Sequence, residues 1–229
     1  MTNERFDAVI LIAGSSSRSQ LSYNKNFYVI RGKPVFRYSL DEFLLVPQCH
    51  KIILVYRESE KKMVESYTYD IPKDKLELVI GGATRQDSVY QGLLAATSDL
   101  ILIHDGARPM IKKADIVTIY QELKKGYPCC LGYKAQDTIK EMKEEHVITL
   151  DRQKLYLVQT PQGVNRKKMI QAIEKATKEN YVAYDDLSLL EKYFGMNPNI
   201  IAGSPYNLKV TTIEDIKYIT KNLGVENDL

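Results

Sequence analysis

Short runs of almost wholly apolar, largely β-branched residues recur at 8–12, 51–55, 76–80 and 100–103. Runs of that length read as strands buried on both faces, and this happens where helices cover both sides of a parallel sheet. The segments between them carry helical signals. Pro34 suits the first position of a helix reaching to about Leu45, and a charged helical stretch follows over 58–67. Val89, Gly92, Leu93 and Ala96 share one face of a helix after the third run, and Ile116, Ile119, Tyr120 and Leu123 share one after the fourth. Residues 27–30 form a short extended run closed by a turn at Arg31-Gly32-Lys33, and 128–133 is a further strand-like segment. Strand and helix therefore alternate. That order predicts an α/β fold with a mostly parallel sheet, helices on both faces, and ligands at the carboxyl ends of the strands.

The stretch 136–159 breaks this rhythm. It is polar and charged between two β-type segments, and predicts a projecting β-arm. Beyond it, Met169, Ile170, Ile173 and Ala176 outline a helix, 185–193 a shorter one, 199–202 a strand, and Ile216, Ile219 and Leu223 a last helix. With no internal repeat or linker composition, the 229 residues read as a single domain, 1–229, with one excursion at about 136–159. A hydrophobic content of 44% supplies a core, and a net charge of +3 without long basic runs gives no case for nucleic acid. No apolar run is long enough for a signal peptide or a membrane span, which predicts a cytoplasmic protein. Cys49, Cys129 and Cys130 read as buried free thiols, and His50, His104 and His146 lack metal-ligand spacing.

Groups able to do chemistry cluster after the strands. The first apolar run ends in Ala13-Gly14-Ser15-Ser16-Ser17-Arg18, continuing to Lys25. Small residues let main-chain N–H groups approach phosphate oxygens and two separated cations add charge, or else this is an ordinary strand-to-loop turn with solvated cations; the loop is neither a Walker nor a dinucleotide fingerprint. Gly81-Gly82-Ala83-Thr84-Arg85-Gln86-Asp87-Ser88 precedes a helix, and reads either as a wall for a base or phosphate or as a capped helix end. His104-Asp105-Gly106-Ala107-Arg108-Pro109 offers a carboxylate for a sugar hydroxyl or Mg²⁺ and a cation for an anion, or else an Asp–Arg pair ordering a loop. Lys209, after the last strand, is a phosphate ligand or a surface lysine.

Taken together with Asp137-Thr138-Ile139-Lys140, Asp151-Arg152, Gln159-Thr160-Pro161-Gln162, Asp185-Asp186, Ser188, Asn207 and Thr211, these motifs closely resemble the 2-C-methyl-D-erythritol 4-phosphate cytidylyltransferases, in order from about Ala8 to Ile216. The resemblance implies a Rossmann-like nucleotidyltransferase sheet, CTP and a polyol phosphate as substrates, Mg²⁺ as cofactor, and a homodimer. It implies that the loop from Ala13 and Gly14 to Lys25 wraps the triphosphate, with Arg18 and Lys25 stabilising charge at the α-phosphorus. Gly82, Ala83, Ser88 and Gly106 fall where the family recognises cytosine and ribose. Asp105, Arg108, Thr138 and Thr160 fall around the polyol phosphate, which Arg152 from a partner's arm and Lys209 hold for attack. The metal's protein ligands are left unassigned. Ribitol 5-phosphate as acceptor, or a silent nucleotide-binding protein, are the alternatives. Ser16, Ser19, Ala83 and Tyr184 depart from the family pattern, Tyr184 standing near the polyol where Thr is usual.

Overall fold

The computed structural model describes residues 5–14 and 24–223. Its strands are β1 (Phe6–Leu11), β2 (Val29–Ile30), β3 (Lys33–Pro34), β4 (Cys49–Tyr56), β5 (Leu76–Ile80), β6 (Leu100–Asp105), β7 (Cys129–Lys134), β8 (Lys140–Lys143), β9 (His146–Thr149), β10 (Tyr156–Asn165) and β11 (Asn199–Ala202). The helices are α1 (Val35–Leu44), α2 (Lys61–Thr68), α3 (Arg85–Ala95), α4 (Lys113–Leu123), α5 (Arg166–Lys178), α6 (Asp186–Phe194) and α7 (Ile213–Asn222).

Seven strands make one sheet in the order β11-β7-β10-β6-β1-β4-β5. At its centre β1 runs parallel to β4 and β6, and β4 runs parallel to β5. The reason residues 8–12 read as an unbroken apolar run is visible in the packing around β1. Phe6, Ala8, Ile10 and Ile12 join Phe36, Leu40 and Phe43 of α1 and Ile116, Ile119 and Tyr120 of α4. Val9 and Leu11, on the other face, join Val89 and Leu93 of α3 and Met169, Ala172 and Ile173 of α5. Neither face meets water, and each Val, Leu, Ile, Phe or Met among them contributes about 1.5–3 kcal/mol when fully buried. The approach of α3 is close enough to require Gly92, since a Cβ there would lie 2.5 Å from Val9 Cγ1 and 3.0 Å from Val55 Cγ2.

Outside the sheet, β2 and β3 form a hairpin whose two turn residues, Arg31 and Gly32, have φ of 47° and 78°. Positive φ at both positions is what a tight two-residue hairpin turn demands. A third apolar cluster joins Ile30 and Val35 to Val210, Ile216 and Ile219, and so ties the segment carrying Lys209 to the hairpin and α1.

One strand departs from the sequence reading. Residues 156–159 were expected in the arm and no strand was assigned to 160–165, but β10 enters the sheet antiparallel between β6 and β7. Its ladder shifts between Val158 and Gln162, around a cis Thr160–Pro161 peptide. Pro161 has no N–H to give to a ladder, so a proline there argues against a central strand until the irregularity is seen. The projecting part is the β8–β9 hairpin and the turn at Arg152–Lys154.

Candidate active site

The carboxyl ends of β1, β4, β5 and β6 meet around a cavity of about 380 Å³. Its walls include Ala13, Gly14, Lys25, Arg57, Gly82, Ala83, Arg85, Ser88, Asp105 and Lys209. Among these, four cations face one carboxylate, which suits a polyanion. The two ends of the segment between Gly14 and Asn24 are clasped together. Asn24 and Asn26 donate from Nδ2 to Ile12 O at 2.7 and 3.2 Å, and Asn24 Nδ2 also reaches the Glu60 carboxylate at 3.0 and 3.2 Å. Arg57 Nε donates to Ala13 O at 2.8 Å. Lys25 thus starts its short helical turn from a fixed base. Arg18, Ser16 and Ser19 lie outside the described residues.

The glycine wall is built by the helix start behind it. Ser88 Oγ accepts from Gly82 N at 3.2 Å and donates to Thr84 O at 2.9 Å, while Thr84 and Asp87 cap α3 reciprocally. The capped-helix reading of this motif holds, since Thr84 and Asp87 cap the start of α3, and Ser88 shapes the loop that lines the cavity.

Asp105 is the hub. Its Oδ1 accepts from Arg85 Nε and Nη2, both at 3.3 Å, and its Oδ2 accepts from Lys209 Nζ at 2.7 Å. Burial pushes this carboxyl up, but Arg85, Lys209 and Arg108 outweigh it and hold it well below the usual carboxylate range. Arg85 also forks onto Asp186, with both bonds at 2.9 Å. Asp186 is 2% exposed, and burial leaves its carboxyl raised despite Arg85.

Three of the expected substrate residues sit behind the cavity wall. Thr160 is buried, with Oγ1 accepting from Asp105 N at 3.1 Å and lying 3.1 Å from His104 Nδ1. His104 is wholly buried and pushed down to about 3, mainly by desolvation, so it stays neutral. Arg108 donates from Nη1 to Asn207 O at 2.8 Å. Gly106 donates to Leu11 O at 3.0 Å, where a Cβ would press within 2.5 Å of Ile12 Cγ2.

Comparison with known proteins decides what kind of site this is. The family profile for 2-C-methyl-D-erythritol 4-phosphate cytidylyltransferase matches residues 6–223. This chain belongs to the 2-C-methyl-D-erythritol 4-phosphate cytidylyltransferase family. The Aquifex aeolicus protein of that name is 37% identical over 224 residues, covering 97% of this chain and 100% of its own. That of Halalkalibacterium halodurans is 36% identical, covering 93% and 94%. The crystal structure of 4-diphosphocytidyl-2C-methyl-D-erythritol synthase from Anaerococcus prevotii superposes with a TM-score of 0.87 at 27% identity, covering 96% of each chain. This cytidylyltransferase fold accounts for the mostly parallel sheet with its antiparallel β10.

Within the family framework, the arm residues stand apart from the cavity. Thr138 is exposed, and so is Arg152, whose Nη1 donates to Gln136 O at 2.6 Å. Tyr184 is fully exposed, just before the Asp185 cap of α6. Sequence reasoning gave no role to Arg57 or to the Arg85–Asp186 pair. Arg57 follows a strand directly, which was the available signal, whereas Arg85 and Asp186 are 101 residues apart and nothing local links them.

Proposed function

We propose that this enzyme transfers the cytidylyl group of CTP to 2-C-methyl-D-erythritol 4-phosphate in non-mevalonate isoprenoid biosynthesis. A phosphate oxygen of the polyol attacks the α-phosphorus, the bond to the β-phosphate breaks, and pyrophosphate leaves with 4-diphosphocytidyl-2-C-methyl-D-erythritol as the other product. The observation that carries this reading is the gathering of Lys25, Arg57, Arg85 and Lys209 around one cavity at the strand ends of a chain of this family. Two anions must meet, so the barrier is largely electrostatic, and fixed cations lower it without a general base because the attacking monoester is already ionised.

In this reading Lys25, with Arg18, stabilises charge at the α-phosphorus, and Ala13 and Gly14 line the triphosphate. Gly82, Ala83 and Ser88 form the nucleoside wall, with Gly106 packed beneath. Lys209 and a partner subunit's arm, through Arg152, hold the polyol phosphate, with Asp105 and Thr138 around it and Thr160 and Arg108 supporting the wall from behind. The exposed Met142, Val147 and Ile148 of the hairpin and Tyr156 and Leu157 of β10 supply apolar surface for a homodimer in which that arm reaches across.

Mg²⁺ enters as the companion of CTP. Among the described residues no group of three His, Cys, Asp or Glu side chains is placed to hold a metal, and both oxygens of Asp105 already face cations. The described residues thus do not form a protein-held metal site. Among the described residues no helix is long and apolar enough to cross a membrane, and the nucleotide substrate suits a cytoplasmic enzyme.

Pyrophosphate release from CTP and Mg²⁺, compared with each polyol phosphate, tests the reading. Turnover with 2-C-methyl-D-erythritol 4-phosphate should exceed that with ribitol 5-phosphate by about 10²-fold, the scale set by a few misplaced polar contacts. The reverse preference would overturn the acceptor. CTP binding without release from either would overturn the activity.

A further inference from the structure

Arg85 is the first residue of α3, and its guanidinium is gripped from two sides. Nη1 and Nη2 donate to Asp186 Oδ1 and Oδ2, each at 2.9 Å, in the parallel fork that fits a carboxylate best. Nε and Nη2 reach Asp105 Oδ1 at 3.3 Å, and Asp105 Oδ2 takes Lys209 Nζ at 2.7 Å. Asp186, Arg85, Asp105 and Lys209 therefore form a row of alternating sign drawn from α6, α3, β6 and the segment before α7. The far end of the row is fixed, because Asp186 is 2% exposed and its backbone N–H donates to Gln162 Oε1 at 3.1 Å. Gln162 in turn donates from Nε2 to Asp185 Oδ2 at 3.0 Å. The shorter, paired bonds anchor Arg85; the longer ones aim Asp105.

We propose that Arg85 is a positioning residue for cytidylyl transfer: anchored on Asp186, it holds Asp105 by one oxygen so that the other sets the ammonium of Lys209. This rests on the reading of the cavity given above. Lys209 is a point charge on a flexible four-carbon stem, and without a fixed acceptor it samples many positions. Its contact with Asp105 uses one of three donors, leaving the others to meet an incoming phosphate. Without Arg85, Asp105 and Asp186 become two sparsely solvated carboxylates with one fewer cation between them. Asp105 is then free to turn, and Lys209 turns with it. Arg85 also lines the cavity, so direct contact with the nucleotide is the rival account.

A double-mutant cycle separates the two. Arg85→Gln and Asp105→Asn should each lower kcat by about 30- to 100-fold, and the double variant should fall no more than about threefold below the worse single one. The KM for CTP in Arg85→Gln should change by less than about threefold, because uniform nucleotide binding is not what is lost. Arg85→Lys should recover only part of kcat, since one ammonium cannot fork onto Asp186 and still reach Asp105. Losses that multiply in the double variant, or a raised KM for CTP with kcat intact, would make Arg85 a direct nucleotide ligand and overturn the proposal. If Arg85→Gln does not fold, Asp186→Asn carries the test, removing the anchor charge while keeping its shape. It should lower kcat at unchanged KM for CTP, and full activity there overturns the proposal. A wild-type protein inert toward CTP with either polyol phosphate is instead a failure of the functional reading, whereas an active wild type beside an indifferent Arg85→Gln is a failure of this inference alone.

Discussion

Asp7 shows how a single buried charge can serve the fold without touching the site. Wholly buried in β1, it accepts on Oδ2 from Thr97 N, Thr97 Oγ1 and Ser98 N at 2.7, 3.2 and 2.8 Å, and on Oδ1 from Ser98 Oγ at 2.8 Å, with His50 Nδ1 at 3.1 Å. Burial pushes its carboxyl up, but the bonds from Ser98, Thr97 and His50 outweigh it and leave it below its ordinary value. A carboxyl lowered in the folded state adds stability that is present above its unfolded value of about 3.9 and is lost as pH falls through the folded value. Asp7→Asn places an NH₂ among converging donors, and should destabilise by about 2–4 kcal/mol at pH 7. Chemical denaturation at pH 7 and again below pH 4 should show that gap narrowing in acid. A gap independent of pH would remove the charge from the account. The sequence did not point to this residue, since all its partners except the strand itself lie more than forty positions away. The same blindness hid the inward turn of Thr160 and Arg108. By contrast Lys25, Asp105 and Lys209 were legible because each follows a strand or sits beside one, where a parallel sheet delivers its ligands.

Among the elements, those with an unmixed period were legible and those with a broken one were not. The expected strand at 76–80 is β5, and the expected helix face of Ile116, Ile119, Tyr120 and Leu123 is the buried face of α4. The β10 strand was missed because Pro161 and a register shift interrupt its ladder at the point where it passes the site. Helix α3 packs closely on β1 and β4. Its Gly92 costs about 1 kcal/mol in helix propensity relative to alanine, yet it allows contact with Val9 and Val55 that no Cβ would permit. Gly92→Ala should therefore destabilise by about 1–3 kcal/mol, overpacking outweighing the propensity gain. It should also lift the N-terminus of α3, carrying Arg85 and Ser88, away from the cavity. Thermal melts and kcat should fall together; a variant more stable than wild type would show that the helix can slide without loss.

At the scale of the whole molecule, the arm sets the question. The β8–β9 hairpin exposes Met142 at 71% and Val147 at 56%, and the Arg152 side chain bonds a carbonyl of its own arm, Gln136 O. An element with apolar residues facing water and an exposed arginine at its base makes sense as one half of a contact, and a twofold dimer would exchange two such arms. Complementation tests this without a crystal. The Lys25→Ala and Arg152→Ala variants should each lose about 10²-fold in kcat, the scale of removing one transition-state cation. If Arg152 acts in trans, co-refolding the two variants in equal amounts creates heterodimers with one doubly defective site and one intact site, the latter pairing Lys25 of the Arg152→Ala chain with Arg152 of the other. Random pairing makes half of the dimers mixed, so activity should recover to about a quarter of wild type. If Arg152 acts within its own chain, every site keeps one defect and mixing restores nothing. Subunit exchange must be verified by a mass tag on one variant, since recovery without exchange would point to a monomer regaining activity by another route and would remove the arm from the site.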